Sequence, residues 1–222
     1  MIELTPDECR VLGVLVEKAT TTPENYPLSL NAIVNGASQK NNRDPVMAMA
    51  EDQAHFAVEG LRGKGLAVRV DQAGSRVHKY KHNATETLRV RAGELAILAE
   101  LLLRGPQTLG ELRGRASRMS PIESLETARE LLRAINERPE PLAKEIPPSP
   151  GSRAERYAQL LGPELAATEM AASDLMPSVA AVDPSLADRV SLLEAEVASL
   201  RDGLRRLSEA LGENGGTGEN VK

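Results

Sequence analysis

Residues Asn25–Met47 read NYPLSLNAIVNGASQKNNRDPVM, and this stretch decides the predicted fold. A short apolar helix is expected from about Leu28 to Ala37, and the polar turn Gln39–Arg43 follows it. Asp44 and Pro45 then match the start of a longer helix, because Asp caps free N–H groups and Pro fits the first helical turn. A short helix, a polar turn and a long helix in this order predict a helix-turn-helix.

The surrounding residues complete a first half of the chain body. A capping box at Thr5–Glu8, with Pro at the first helical position, starts a helix over about residues 5–19. The long helix should run over about residues 45–64. A β-hairpin is expected next, since residues 66–70 and 76–82 alternate in polarity around a Gly-containing turn.

The second half repeats this order of elements. Capping boxes at Thr108–Glu111 and Ser120–Glu123 mark the starts of a short and a long helix. The other predictions are a helix over about residues 93–103, an end of the long helix near 136, and weak strands near 142–146 and 156–161. Three helices and a hairpin, occurring twice, predict two winged helices in tandem.

The Asn25–Met47 block, the hairpin after it and the run LGELRGRASRM (Leu109–Met119) resemble the YceH family of uncharacterised bacterial proteins. The resemblance covers about residues 2–161. It implies a fold that is mainly α with small β-wings, arranged as two tandem winged-helix (helix-turn-helix) domains. It implies no activity and no catalytic or ligand-binding residue.

The predicted organisation has five parts. The first winged-helix domain covers residues 1–88, and the second covers 89–161. A linker rich in Ala and small residues follows over 162–182. A C-terminal coiled-coil helix is predicted over 183–212 and a disordered, Gly-rich tail over 213–222.

The coiled-coil prediction rests on a strict apolar repeat after Asp183-Pro184. Apolar residues alternate by four and three positions, which averages the period of about 3.5 residues found in coiled coils. β-branched residues at a with Leu at d favour a parallel two-stranded coil, so a homodimer is expected. The alternative is a single helix packed back on the body. The candidate dimerisation residues are Leu186, Val190, Leu193, Val197, Leu200, Leu204, Leu207 and Leu211.

Composition excludes several protein classes. One Cys and no Trp in 222 residues rule out a disulfide framework, and Cys9 is interpreted as a core residue of the first helix. No apolar run approaches the roughly 20 residues of a membrane span, and no signal-peptide core is present, so a cytoplasmic protein is expected. Metal-ligand spacings, phosphate loops and nucleophile elbows are missing from the sequence, which predicts no enzyme activity, no cofactor, no metal site and no catalytic residue.

Charge is unevenly distributed. Residues 1–161 have a net charge of +1 and residues 162–222 a net charge of −6, whereas residues 62–91 alone carry +6. A basic stretch on a predicted hairpin attracts phosphates. Candidate DNA-binding residues in the turn, the hairpin and the second short helix are Gln39, Lys40, Asn41, Asn42, Arg43, Arg76, Lys79, Lys81, Arg115 and Arg118.

The long helices are predicted to be acidic on their exposed faces, which opposes insertion into a DNA groove. In the first long helix the exposed set is Glu51, Asp52, His55 and Glu59, opposite a core face of Val46, Ala50, Ala54, Ala57 and Leu61. In the second the core face is Ile122, Leu125, Leu132 and Ile135, and the exposed set includes Glu123, Glu126, Arg129, Glu130 and Arg133.

Two functional hypotheses remain open. Asn41, Asn42 and Arg43 lie where helix-turn-helix proteins contact bases or phosphates, but Asn in a turn also caps neighbouring backbone groups. The first hypothesis is a dimeric DNA-binding or transcription-regulatory protein that uses the turn and the basic wing. The alternative is a protein-interaction scaffold whose winged helices dock a partner on the acidic long helices.

Overall fold

A computed structural model describes residues 2–71, 77–163 and 201 of the chain. Within these residues the protein is mainly helical with small antiparallel sheets, which confirms the predicted fold class at that level. The candidate dimerisation residues Leu186 to Leu211, the predicted tail and Arg76 lie outside the described residues.

The described elements follow the predicted order. The helices are α1 (Pro6–Thr21), α2 (Leu30–Ala37), α3 (Glu51–Gly63), α4 (Ala84–Leu88), α5 (Ala92–Arg104), α6 (Leu109–Ala116) and α7 (Leu125–Asn136), with a 3₁₀ turn at Pro23–Asn25. The strands are β1 (Leu28–Ser29), β2 (Ala67–Val70), β3 (Lys79–His82), β4 (Gln107–Thr108), β5 (Ala143–Ile146) and β6 (Arg156–Gln159).

Side-chain caps define the starts of α1 and α6. Glu8 N donates to Thr5 Oγ1 at 3.2 Å, and Thr5 N donates to Glu8 Oε2 at 2.7 Å. Thr108 and Glu111 exchange the same two hydrogen bonds at the start of α6. Both of these predicted capping boxes are confirmed.

The first long helix begins six residues later than predicted, at Glu51 instead of Pro45. Side chains hold the preceding segment in an irregular conformation: Met49 N donates to Ser38 Oγ at 3.0 Å, and Arg10 donates to the carbonyl of Pro45 at 2.7 Å. Val46 is 58 % exposed as a result, so its predicted place in the core is wrong. Ala50, the N-cap of α3, is exposed as well.

The second long helix also starts late, at Leu125 instead of Pro121. Ser124 supplies the N-cap, since its Oγ accepts from Thr127 N at 3.0 Å. Leu125 occupies the first helical position and is 50 % exposed, which corrects its predicted place in the core, whereas Ile122 is buried.

Each half of the body contains a three-stranded antiparallel sheet. The strand orders are β1-β3-β2 and β4-β6-β5, so the central strand is the last one of its half in sequence. Leu28 pairs with Tyr80 in the first sheet, and Gln107 pairs with Tyr157 in the second. The hairpins were predicted, but β1 and β4 have only two residues each, too few to show alternation.

The two halves share one hydrophobic core, and α1 packs along α5 at its centre. The helices approach closely at Gly13, where a Cβ atom would stand only 2.8 Å from Leu103 Cγ. Cys9 is 1 % exposed in this core, as predicted. The division into domains at residues 88 and 89 stays a prediction.

The two halves differ in the length of one connection. Residues 38–50 join α2 to α3, whereas residues 117–124 join α6 to α7, so the first connection holds five additional residues. The helices that follow are equivalent, because they bury the same positions counted from their N-caps. These positions are Ala54, Val58 and Leu61 in α3 and Ala128, Leu132 and Ile135 in α7.

Candidate functional site

Arg43 lies inside the polar turn, and its side chain is 0 % exposed. All five of its N–H donors are directed at acceptors of the chain. Two reach the Glu17 carboxylate, at 2.5 and 3.2 Å. The others reach the carbonyls of Gly36 and Asn42 and the side chain of Gln39. Every donor of Arg43 has an acceptor within the chain, which does not favour a phosphate contact. A DNA contact by Arg43 stays a prediction.

Arg118 brings a second guanidinium to the same carboxylate. Its Nη1 lies 2.5 Å from Glu17 Oε1, and its Nη2 lies 2.6 Å from Glu100 Oε1. Glu17 and Glu100 are 1 % and 0 % exposed, whereas Arg118 remains 30 % exposed. We name Glu17, Arg43, Glu100 and Arg118 the junction network, because it joins α1 and the first turn to α5 and the residues after α6.

The additional residues of the first turn also attach directly to α5. Asn42, which has a φ of 61°, accepts a hydrogen bond on its side-chain oxygen from Arg104. Asp44 N donates to the carbonyl of Leu103 at 3.0 Å. Lys40 and Asn41 stay exposed. The turn with the candidate DNA-binding residues therefore also contacts α5.

The junction network sets the charge state of Glu17. Burial alone would raise the pKa of this carboxyl, but hydrogen bonds and charges from Arg43 and Arg118 outweigh burial and lower the pKa below its ordinary value. Burial likewise acts to lower the pKa of Arg118, and its contacts with Glu100 and Glu17 reverse that effect. The charged forms of Glu17 and Arg118 are thus stabilised together.

Helix C-termini account for the excess of positive charge around the network. Lys18, Arg104 and Arg115 lie in the last turns of α1, α5 and α6, and Arg43 Nε donates at 2.9 Å to Gly36 in the last turn of α2. A helix C-terminus carries about half a negative charge. These helix ends offset part of the positive charge, although burial and the charges of neighbouring arginines lower the pKa of Arg104 below its ordinary value.

Arg115, another DNA-binding candidate, is also engaged within the second half. Its Nη1 donates to Gln107 Oε1 at 2.7 Å, and its Nη2 lies 3.2 Å from Glu111 Oε1. The side chain is 36 % exposed, so only its edge reaches the surface.

The candidate lysines of the hairpin are more accessible. Lys81 is exposed and Lys79 half-buried on β3, and each pairs across the strand with a valine of β2, Val68 or Val70. Within the described part of the chain neither lysine forms a salt bridge. The structure brings these two residues together but places them apart from the buried Arg43.

The open face of α3 carries a feature that the sequence analysis missed. Phe56, the only Phe of the chain, is 75 % exposed there. The ring of His55 stands edge-on to it, with centroids 6.1 Å apart and an interplanar angle of 77°. Asp52 and Glu59 precede and follow Phe56 by one turn. We name Asp52, His55, Phe56 and Glu59 the α3 face.

The equivalent face of α7 has a different character. Glu130 stands where α3 has Phe56, at the same distance from the N-cap. Arg129 pairs with Glu126 at 3.1 Å, and Arg133 pairs with Glu137 at 2.9 Å. Alternating charges in paired contacts are typical of a solvated helix surface.

A groove of about 560 Å³ separates the C-terminal half of α3 from β2. Glu59, Arg62 and Gly63 line one wall, and residues 67–69 and Asp71 line the other. Each wall contains an internal ion pair, Glu59–Arg62 at 2.5 Å and Arg69–Asp71 at 3.2 Å. The groove is therefore polar but carries no net charge.

Helical periodicity could have revealed Phe56. The predicted core positions Ala54, Ala57 and Leu61 are buried, and Phe56 falls outside that stripe. The charged residues of this face were predicted to be exposed, but no prediction was made for the aromatic one. A large apolar residue off the core stripe is the informative signal.

Metal sites and membrane spans are two further features that the described residues can be checked for. Among residues 2–71 and 77–163, no three His, Cys, Asp or Glu side chains are grouped so that they could hold a metal ion. In that same part of the chain, every helix is too short or too polar to cross a bilayer.

Known proteins resemble this chain along most of its length. Residues 4–152 match the model of a family described as proteins of unknown function, DUF480. A UPF0502 protein of Geobacter sulfurreducens is 45 % identical over 201 residues, which cover 90 % of each chain. A UPF0502 protein of Koribacter versatilis is 44 % identical over 197 residues, covering 89 % of this chain and 90 % of the relative. The chain therefore belongs to the DUF480 (UPF0502) family of uncharacterised bacterial proteins, in agreement with the resemblance noted in its sequence.

Proposed function

We propose that this protein is a non-enzymatic docking protein, in which two winged-helix units form one body and the α3 face binds a protein partner. The repeated order of helix, short strand, two helices and hairpin supports the winged-helix arrangement. In such units the helix equivalent to α3 is the element that meets a ligand.

The exposure of Phe56 carries the proposal. Burying a Phe side chain contributes about 1.5–3 kcal/mol, and α3 leaves this ring 75 % exposed although its other face is fully packed. Aromatic residues are enriched at the centres of protein interfaces, with polar groups around them. Asp52, His55 and Glu59 provide such a polar rim. The α7 face, which has Glu130 at the equivalent position, lacks an anchor of this kind.

The polar turn offers less support for DNA reading. Arg43 has every donor engaged, and Arg118 neutralises two buried carboxylates. Carboxylates on the α3 face would also be repelled by phosphates on both sides of a DNA groove. A protein partner accommodates this combination of one aromatic ring and surrounding carboxylates.

In-cell photocrosslinking tests the proposal. A photoreactive amino acid at His55 keeps Phe56 in place, and the same amino acid at Glu130 of α7 is the matched control. We expect a protein adduct of one defined mass from position 55, none from position 130, and loss of the adduct in Phe56→Ser. Adducts to nucleic acid, or protein adducts that persist in Phe56→Ser, would contradict the proposal.

A second candidate function, DNA binding by the hairpin, is favoured by the two lysines of β3. Lys79 and Lys81 form no salt bridge within the described residues, and each phosphate contact would steepen the salt dependence of binding. Affinity for random duplex DNA should be measured across a salt series. If the logarithm of the affinity falls equally steeply with the logarithm of the salt concentration in the wild type and in the double variant Lys79→Ala/Lys81→Ala, DNA binding by the hairpin is contradicted.

We also propose a homodimer through the C-terminal repeat, for which the apolar heptads at 186–211 are the support. Leu193→Glu and Leu200→Glu in the full chain would place like charges in the seam. Sedimentation equilibrium should then show a dimer for the wild type and a monomer for the double variant. A wild-type monomer at micromolar concentration contradicts the dimer.

A further inference from the structure

Strand β2 has a free edge. The sheet order β1-β3-β2 puts β3 in the centre, and within the described residues no strand pairs with the outer side of β2. A free edge presents backbone N–H and C=O groups in a regular row, which is a template for another strand.

The hydrogen-bond pattern identifies the groups that point outward. In an antiparallel ladder, residue pairs that exchange hydrogen bonds alternate with pairs that do not. Asn83 N donates to the carbonyl of Leu66 at 2.8 Å, so this pair belongs to the bonded set. Two residues further along each strand, Val68 faces Lys81 in the same set. The backbone groups of Ala67 and Arg69 therefore point away from β3. Ala67 is only 4 % exposed, so the accessible outward groups are those of Arg69.

An independent contact agrees with this alternation of bonded and non-bonded pairs. His82, the partner of Ala67, donates its N–H at 2.6 Å to the hydroxyl of Tyr26, on the side of β3 away from β2. That direction is expected if Ala67 and His82 form a non-bonded pair.

The groove between α3 and β2 runs beside this edge and has room for side chains. Gly63 ends α3 at the groove wall, and no atom lies within 4 Å of the position that a Cβ would occupy there. The ion pairs Glu59–Arg62 and Arg69–Asp71 leave the walls without net charge. An uncharged segment is the complement of such a groove.

The second half does not offer the same edge. β5 is the equivalent strand, and it carries Lys144 and Glu145 where β2 carries Val68 and Arg69. Adjacent charges on an edge strand discourage pairing with another chain. Valine on both sides of Arg69 favours the extended conformation that pairing requires.

We infer that β2 receives an extended, uncharged peptide segment of a protein partner as a fourth strand, bonded to the backbone of Arg69. This inference rests on the proposed docking role of α3 and names the partner class and its manner of binding. Four residues of β2 span about 13 Å at about 3.3 Å per residue, so the segment is short. Glu59 belongs to both surfaces, which makes the groove continuous with the α3 face.

Two pairs of variants of the full chain isolate the edge. Arg69→Pro removes the outward N–H without removing a hydrogen bond to β3, and Arg69→Ala keeps the N–H while losing the same side chain. Gly63→Leu fills the groove, and Gly114→Leu places the same side chain in equally open space on α6. Thermal melts report whether each variant remains folded, and Gly63→Leu decides the outcome if Arg69→Pro does not fold.

The probe is a phage-displayed library of random linear peptides, selected on the wild-type chain. We expect recovered peptides to bind Arg69→Ala and Gly114→Leu as they bind the wild type, and to bind Arg69→Pro and Gly63→Leu at least about tenfold more weakly. Amide exchange at Arg69 should be fast in the free chain and slowed by the peptide.

Three results would overturn the inference: no enriched peptide, enriched peptides that bind Arg69→Pro and Gly63→Leu as tightly as the wild type, or slow amide exchange at Arg69 in the free chain. Slow exchange would mean that the chain itself covers its edge. The crosslink from position 55 separates this failure from failure of the proposed function. If that adduct persists in both Arg69→Pro and Gly63→Leu, the docking role stands and strand addition is wrong.

Discussion

Arg118 and Glu17 are 101 residues apart in the chain, and Arg118 Nη1 lies 2.5 Å from Glu17 Oε1. The same carboxylate receives Arg43 from the first turn, so a single buried acid holds α1, the turn and the second half together. Buried charges of this kind are costly when one partner is lost, because the remaining charge has neither water nor a counter-ion.

Arg43→Met should therefore destabilise the protein by about 3 kcal/mol or more, since Glu17 would keep only the partly exposed Arg118 and the more distant Lys18, at 3.7 Å, as partners. Lys40→Met, in the same turn but exposed, should stay within about 0.5 kcal/mol of the wild type. Urea unfolding of both variants measures the difference. Similar midpoints for the two would show that the turn does not hold the halves together.

The stability contributed by Glu17 should depend on pH. Its pKa is lower in the folded protein than in the unfolded chain, so its contribution is complete above the unfolded value of about 4.3 and is lost as the pH falls through the folded pKa. The gap in unfolding free energy between the wild type and Glu17→Gln should be largest near neutral pH and shrink below about pH 4. A gap that stays constant down to about pH 3 would mean that Glu17 is not held as a carboxylate in the folded protein.

Gly114→Ala should stabilise the protein by about 0.5–1 kcal/mol, because Gly114 lies inside α6 with open space at the Cβ position. Gly13→Ala is the opposite case, since its Cβ would stand 2.8 Å from Leu103 Cγ where α1 meets α5. The midpoint of thermal unfolding should rise for Gly114→Ala and fall for Gly13→Ala. Equal shifts in both would argue against the close α1–α5 approach.

The thiol of Cys9 should be inert in the native protein. Burial first, and the charge of Glu8 second, raise its pKa to about 12, so almost no thiolate is present at pH 8. A chromogenic disulfide reagent should react with one thiol per chain in urea and with almost none before unfolding. Fast reaction in native buffer would show that the first helix opens easily.

Most of the helices, both hairpins and two of the capping boxes could be predicted because local signals define them. Thr5 with Glu8 and Thr108 with Glu111 satisfy free N–H groups within one turn, which depends on little else in the fold. The start of α3 could not be predicted in that way. Met49 and Arg10 hold residues 45–50 through contacts with Ser38 and Pro45, and no sequence pattern encodes those contacts.

The candidate site was predicted less well than the fold. The sequence does not show whether a basic or amide side chain in a turn contacts DNA or a buried carboxylate. Arg43 was therefore assigned to the surface. Phe56 drew no prediction from the sequence, and an aromatic residue is usually expected inside. Its exposure depends on the rotational setting of α3, which Ala54, Val58 and Leu61 fix by packing.

The shared packing of α1 and α5 has a consequence for how the chain can be divided. An isolated fragment of either half would expose the apolar flank where Gly13 meets Leu103, and would leave Glu17 or Arg118 without its long-range counter-charge. We expect fragments cut between residues 88 and 89 to aggregate when expressed separately. When co-expressed, they should reassemble into a noncovalent heterodimer, so the molecule would behave as a split protein whose two pieces recognise each other.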